Sequence, residues 1–189
     1  MRRLPVYLLL DCSGGMSGEP LESLRQGLRG FIGDLKFDPQ AIETAHISVI
    51  TLGSDVQLAS PLTDLCAFVE PQLAASGSVS FGAALRLLVN RIRSEVGVRG
   101  SQHDGDFLPL VFVFLHGSPT DDWQSAAAEL NSVKVCKILG IALGANADDV
   151  ALRCISDAVI RADNLSPDTI KSFFQWIEPE ESAVALANH

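Results

Sequence analysis

Two short, unbroken apolar runs constrain the fold of this chain more than any other feature of its sequence. They cover residues 6–10 and 108–115, and each ends at a loop of small and polar residues. Runs of this length without polar alternation are typical of strands that are buried on both faces, as in parallel sheets. Because parallel strands require long crossover connections, we expect helices between them.

The rest of the pattern supplies those helices. Apolar residues at helical spacing follow Glu19 and Pro20, and proline suits the first turn of a helix. Helices are predicted at residues 19–35, 62–68, 81–96, 123–131, 148–154 and 166–177. Strands are predicted at residues 5–10, 46–52, 56–60, 108–115, 134–143 and 158–160, of which 56–60 is a short antiparallel edge strand.

The order of these elements predicts a Rossmann-like, doubly wound α/β fold. We expect a mainly parallel six-stranded sheet with one antiparallel edge strand and helices on both faces. A length of 189 residues fits one hydrophobic core. The prediction is therefore a single domain over residues 1–178, followed by a flexible tail over residues 179–189.

The charge and hydropathy of the chain exclude several function classes. The formal net charge is −9 and the basic residues are scattered, whereas a surface that binds nucleic acid needs clustered lysine and arginine. No apolar stretch approaches the roughly 18 residues of a membrane span, and no export leader is recognisable. We therefore expect a cytoplasmic protein with reduced thiols. Cys136 and Cys154 are predicted in the core, and Cys12, in a loop, is the one candidate for a reactive thiol.

Three loops are the candidate site. In doubly wound sheets, ligands bind beyond the carboxyl ends of the strands, where the strand order reverses. That rule selects residues 11–15, 76–80 and 116–122.

The sequences of these loops resemble those of von Willebrand factor A (vWA) domains. Residues 10–16, Leu-Asp-Cys-Ser-Gly-Gly-Met, are similar to the D-x-S-x-S-M loop of that family. Residues 78–85 resemble its second loop, G-T-x-x-G-x-A-L, and residues 114–119 resemble its third, which reads T-D-G. The opening 20 residues, residues 105–112 and residues 117–123 are similar to the TerY type, whose genes lie beside bacterial tellurium-resistance and stress-response genes. The resemblance covers nearly the whole chain.

The resemblance implies a metal-ion-dependent adhesion site, at which the three loops of the family bind a divalent cation, usually magnesium. Asp11 and Ser13 match the first aspartate and the first serine. The second serine is Gly15 here, the threonine falls on Val79, and the last aspartate falls on His116. A register shift of one residue would place Ser78 or Ser80 at the threonine position instead.

Three of these five positions have lost their oxygen donor, so we expect a degenerate site and no cofactor. Mg²⁺ prefers six hard oxygen ligands, which this set does not supply. The alternative is a weak or altered cation site with magnesium or zinc at Asp11, Ser13 and His116, since a nitrogen donor suits zinc. We also predict a hydrogen-bonded or water-bridged pair between the side chains of Asp11 and His116; the alternative is that His116 is an ordinary polar residue at a strand end.

The resemblance favours a non-catalytic protein-interaction module of a bacterial tellurium-resistance or stress-response system. Its partners would be proteins, among them a protein kinase and a metal-dependent protein phosphatase encoded nearby, and not nucleic acid or membrane. The predicted contact surface lies on the three loops and comprises Met16, Ser78, Ser80, Phe81, Ser118, Thr120, Asp121 and Trp123. A hydrolase that uses Ser13 or Asp11 is the second alternative. It is disfavoured for Ser13 because residues 11–15 lack the G-x-S-x-G elbow of such enzymes, and for Asp11 because Ser13 stands where phosphatases with a nucleophilic aspartate have a second one.

Overall fold

The part of the chain that the structure describes contains six strands with five helices between them. A computed structural model describes residues 2–98, 105–133, 136–144 and 147–162. The strands are β1 Leu4–Asp11, β2 Ala45–Leu52, β3 Gln57–Asp64, β4 Leu110–Leu115, β5 Lys137–Leu143 and β6 Ala158–Ala162. The helices are α1 Glu19–Leu35, α2 Pro39–Thr44, α3 Phe81–Glu95, α4 Trp123–Val133 and α5 Asp149–Ile155, and Gly14–Met16 forms one 3₁₀ turn.

The strands form one sheet in the order β3-β2-β1-β4-β5-β6, which confirms the predicted fold. All neighbouring pairs are parallel except β2 and β3, which are antiparallel. The strand order reverses between β1 and β4, which pair from Val6↔Leu110 to Leu10↔Phe114. The carboxyl ends of these two central strands therefore meet at the switch point, where the candidate loops begin.

Two apolar layers hold helices against the sheet. Successive residues of β1 point to opposite faces, so Leu8 and Leu10 join the layer beneath α1 while Tyr7 and Leu9 join the layer beneath α3, α4 and α5. All four side chains are almost completely buried. A fully buried leucine contributes about 1.5–3 kcal/mol, which explains why β1 carries no charged side chain between Val6 and Leu10, and the one polar group there, the Tyr7 hydroxyl, donates to Glu95.

Two local predictions differ from the structure. The predicted helix at residues 62–68 is wrong: β3 continues to Asp64, which pairs with His46, and a turn follows. The apolar spacing there has another cause, because Leu65 is buried at the sheet edge and its N–H donates to the Ala45 carbonyl. The short helix α2 was not predicted; Pro39 stands in its first turn, and the Asp38 carboxylate caps it.

Some predictions lie outside the described residues. The helix at 166–177, the domain end at 178 and the tail at 179–189 all fall beyond residue 162. Among the helices that the structure describes, none is long and apolar enough to cross a membrane.

A clamp of charged and backbone groups closes the connection from α3 to β4 at the amino end of the sheet. Asp106 is buried and accepts two hydrogen bonds from Arg3, at 3.0 and 2.6 Å. The Gly97 N–H donates to the same carboxylate at 2.7 Å, and the Asp106 N–H donates to the Gly97 carbonyl at 2.8 Å. Partial burial opposes ionisation of Asp106, but the hydrogen bonds from Arg3 and Gly97 outweigh it and hold the pKa of this carboxyl below its ordinary value.

Candidate functional site

Asp11 joins two of the three loops through backbone amides. It is the last residue of β1 and is completely buried. One carboxylate oxygen accepts from the Ser13 N–H at 2.8 Å, and the other accepts from the N–H groups of His116 and Gly117 at 2.9 and 3.1 Å. Buried charges need such partners. The carboxylate thus fixes the β1–α1 loop to the start of the β4–α4 loop.

The imidazole of His116 contacts the end of β5 and makes no hydrogen bond to the Asp11 side chain. Its Nδ1 lies 3.0 Å from the Leu143 carbonyl oxygen, at the end of β5. A carbonyl oxygen only accepts hydrogen bonds, so Nδ1 carries a proton and donates it in this contact. The Asp11 and His116 side chains therefore make no direct hydrogen bond, because Asp11 contacts residue 116 through the backbone. The water-bridged form of the predicted pair stays a prediction.

Two glycines flank the His116 ring. A Cβ atom on Gly15 would lie 3.5 Å from the ring Cδ2, and one on Gly144 would lie 3.6 Å from Cε1. Gly144 also has a φ of +71°, a conformation that other residues rarely adopt. The imidazole occupies the space between these two backbones, and its Nε2 edge faces Gly15.

The second loop meets the other two through its backbone. Val79 is buried, and a Cβ on Gly117 would lie 3.0 Å from its Cγ2. The Val79 carbonyl accepts from both the N–H and the hydroxyl of Thr120, at 3.0 and 3.1 Å. The Gly77 carbonyl accepts from the Gly14 N–H at 2.8 Å. Contacts between the loops thus bring five positions together at the carboxyl end of the sheet, namely Asp11, Ser13, Gly15, Val79 and His116.

Asp121 is a positioning residue that the sequence analysis assigned to the contact surface. Its two carboxylate oxygens accept from the N–H groups of Gly82 and Ala83, both at 2.9 Å, at the first turn of α3. Ser80, which precedes α3, makes no side-chain cap. An acidic group at a helix amino end satisfies free N–H groups and complements the helix dipole. The pairing spans 38 residues, so no local pattern could reveal it.

Gly82 allows this contact because it has no side chain. A Cβ atom there would lie 2.6 Å from the Asp122 carbonyl oxygen and 2.9 Å from the Trp123 Cα. The β4–α4 loop therefore packs against the backbone of α3 itself. Trp123 extends the contact, since its ring lies 6.5 Å from the Phe81 ring at an angle of 50°.

Two residues of the predicted contact surface are not accessible. Met16 and Phe81 have no exposed surface, because Met16 packs in the layer beneath α1 and Phe81 in the layer beneath α3. Their assignment as contact residues is wrong. The other predicted positions keep accessible surface, with Ser78, Ser118 and Thr120 exposed and Ser80, Asp121 and Trp123 half-buried.

The cysteines differ from expectation. Cys12 is buried, and burial raises the pKa of its thiol to about 12, so it is no candidate for a reactive thiol. Cys154, predicted in the core, is exposed. Cys136 is half-buried with a thiol pKa raised by burial to about 12, and Cys66 is exposed.

Comparison with known proteins places this geometry in context. Residues 6–172 match the family model of the von Willebrand factor type A domain, and no curated protein sequence gives a significant match. The fold is similar to proximal thread matrix protein 1 from the mussel byssus, with 15% identity and a TM-score of 0.68 over 93% of this chain and 47% of that one. A von Willebrand factor type A protein from Catenulispora acidiphila is 14% identical, with a TM-score of 0.68 over 95% of this chain and 43% of that one. BatB from Bacteroides thetaiotaomicron is 15% identical, with a TM-score of 0.62 over 91% of this chain and 96% of that one.

The first two of these structures are longer proteins, and this chain spans less than half of each. At such identities, the likeness to solved structures establishes the fold alone. The mussel protein has also been solved with zinc in its metal-ion-dependent adhesion site, a structure that gives a TM-score of 0.63.

Proposed function

This chain belongs to the von Willebrand factor type A domain family, and from that premise we propose that it is a non-catalytic protein-interaction module with a degenerate metal-ion-dependent adhesion site. Domains of this family commonly mediate protein–protein interaction. The loop face, formed by residues 11–17, 76–80 and 116–122, is the surface that would meet the partner.

The use of the Asp11 carboxylate is the observation that supports this proposal most strongly. Both of its oxygens accept backbone N–H groups, three in all. Of the five family positions, only Ser13 offers a further side-chain oxygen, and its side chain is 4% exposed. A magnesium ion requires about six oxygen ligands in octahedral array. The residues present therefore do not fit a hard dication.

Hydrogen bonds replace the ion as the link between the loops. The first and third loops are joined by Asp11, and the first and second by the Gly14–Gly77 and Cys12–Ser76 backbone contacts, both at 2.8 Å. The second and third are joined by Thr120 and Val79. Because these hydrogen bonds order the loops without an ion, the loop face would lose little conformational entropy on docking. Binding of the partner would then not depend on a divalent cation.

The geometry also supports a non-catalytic role. A serine hydrolase needs a histidine within hydrogen-bonding reach of its nucleophile. In the part of the chain that the structure describes, the His116 ring bonds to the Leu143 carbonyl and not to Ser13. Asp11 is equally unsuited to attack a substrate, because it is buried and its oxygens already accept hydrogen bonds.

The biological setting is proposed by analogy with the TerY type. It comprises a cytoplasmic tellurium-resistance or stress-response system in bacteria, with a protein kinase and a metal-dependent protein phosphatase as candidate partners. The test is direct capture of those two gene products by the immobilised chain, in EDTA and in magnesium. Equal capture in both buffers is expected. Capture that requires magnesium would refute the cation-free mode.

Paired variants locate the docking surface. Ser118→Arg places a bulky charge on the loop face, and we expect it to abolish capture. Gln40→Arg is the matched control, since Gln40 is exposed on α2 at the opposite end of the sheet. If the two variants behave alike, the partner does not bind at the loop face.

A zinc site is the alternative, favoured by one observation. Among the described residues, Nε2 of His116 has no hydrogen-bond partner and faces Gly15, and imidazole suits zinc better than magnesium. Calorimetric titration with Mg²⁺, Mn²⁺ and Zn²⁺ distinguishes the two cases. The degenerate site predicts no saturable heat with any of them, whereas zinc binding that disappears in His116→Ala would establish the altered site.

A further inference from the structure

A polar cavity lies beside the loop face, at the carboxyl end of β2. Its volume is about 160 Å³, and it opens between the β2–β3 strand pair and the segment that carries Gln72 and Ser76. Its lining residues are Cys12, Thr51, Leu52, Gly53, Asp55, Gln57, Ala59, Gln72, Ala74 and Ser76. The backbone of Cys12 and Ser76 belongs to the first two loops, so the cavity adjoins the proposed docking surface.

The cavity interrupts an apolar face of the sheet. Along β2, Ile47 and Val49 point into the layer beneath α1, and both are completely buried. The next residue on that face is Thr51, which lines the cavity and is half-buried. On β3, the same face carries Ala59 and then Gln57, so small and polar side chains replace the large apolar ones that would fill the space.

Four polar side chains around the cavity have no partner among the described residues of the protein. Throughout residues 2–98 and the other described segments, the side chains of Thr51, Asp55, Gln57 and Gln72 have no hydrogen-bond or ion-pair partner. They offer a hydroxyl, a carboxylate and two carboxamides around one space. No lysine or arginine is among the lining residues. Arg25, on the neighbouring helix, donates to the Leu73 carbonyl instead.

The size of the cavity selects a single side chain as its occupant. A volume of about 160 Å³ corresponds to on the order of five water molecules. Pockets for cofactors and drug-sized ligands measure roughly 300–1,000 Å³, which is well above this value. The group that enters therefore has the size of a long amino-acid side chain.

The chemistry of the lining selects arginine, and we propose that this cavity receives an arginine side chain of the docking partner. The Asp55 carboxylate and the net charge of −9 favour a cation. A guanidinium presents five N–H donors in one plane, which matches a carboxylate and several amide and hydroxyl oxygens better than the compact ammonium of lysine does. The assignment rests on the proposed function, because it names the chemistry of the partner at that face.

The test uses blocked arginine, an acetylated and amidated single residue, as the probe. We expect saturable chemical-shift changes in an NMR titration, centred on Thr51, Asp55, Gln57 and the side-chain amide of Gln72. Affinity is expected in the millimolar range of a lone side chain. Asp55→Asn should weaken binding about 3- to 10-fold. Glu43→Gln, at an exposed position on α2, removes the same charge at the other end of the sheet and should leave binding unchanged.

Two further probes make the test decisive. Blocked citrulline has nearly the shape of arginine without its charge, and blocked lysine has the charge without the planar donors. Both should bind more weakly than arginine. The absence of saturable shifts with arginine, or equal shifts with citrulline or with lysine, would overturn the assignment. Because no partner protein is present, arginine binding with failed capture would count against the proposed function alone, and capture without arginine binding would count against the cavity alone.

Discussion

Replacement of Gly82 by alanine tests whether the β4–α4 loop is packed directly on α3. The new Cβ would lie 2.6 Å from the Asp122 carbonyl oxygen, whereas ordinary contacts begin near 3.4 Å, so the loop would have to move by roughly 0.8 Å. The two hydrogen bonds from α3 to Asp121, both 2.9 Å long, would then exceed the normal range.

The expected magnitude follows from these contacts. Overpacking costs about 1–3 kcal/mol, and the loss of a helix cap costs about 1 kcal/mol. Alanine has a better helix propensity than glycine by at most about 1 kcal/mol, which offsets part of the loss. We therefore expect Gly82→Ala to lower the free energy of unfolding by about 2 kcal/mol, and Tm by about 4–8 °C for a domain of this size.

The matched control is the same substitution in α1. A Cβ on Gly30 would meet nothing within 4 Å, so Gly30→Ala should raise the free energy of unfolding by about 0.5–1 kcal/mol. Both variants are measured by urea unfolding, followed by far-UV circular dichroism, in buffer with EDTA. A Gly82→Ala protein at least as stable as the wild type would refute the packing of the loop against α3.

Three further predictions follow from the described contacts. Asp11→Asn keeps one of two acceptor oxygens, so urea unfolding should show a loss of about 1–3 kcal/mol; EDTA should leave the wild type unchanged, and a loss there would mean that a cation holds the loops. The pKa of Asp106 is lowered in the folded protein, so its ionised carboxylate stabilises the fold above the unfolded pKa of about 3.9, and this contribution is lost as pH falls through the folded pKa. Asp106→Asn should therefore be less stable than the wild type near neutral pH but lose less stability on acidification. Parallel urea-unfolding profiles of the two proteins across pH would contradict this. A thiol-reactive dye at pH 8 should label Cys66 and Cys154 quickly in the native protein, and fast labelling of Cys12 would contradict its burial.

The sheet could be predicted from the sequence because its determinants are local. Residues 6–10 and 108–115 are apolar enough to identify the two central strands, and the spacing from Leu21 to Leu35 identifies α1 along its whole length. The turn at residues 53–55 identifies the antiparallel edge strand. Residues 62–68 misled the prediction because Leu62, Leu65 and Phe68 have helical spacing in a segment whose backbone pairs with β2.

The site could be predicted only in part, because its contacts join distant segments. The switch-point rule selected three loops, and the structure shows that they contact one another. The direction of the His116 ring depends on the Leu143 carbonyl, 27 residues away. The burial of Met16 and Phe81 depends on helices that pack above them. Loop position does not reveal whether an apolar side chain turns inward, and this explains the error at both residues.

The clamp between Gly97 and Asp106 has a practical consequence for experiments on this chain. Its reciprocal hydrogen bonds hold the two ends of the α3–β4 connection together, so lengthening the sequence between them adds only about 0.6 kcal/mol of closure entropy per doubling. The clamp lies at the amino end of the sheet, opposite the loop face. A biotin acceptor peptide inserted between these anchor points would tether every molecule in one orientation, with the recognition surface directed away from the support.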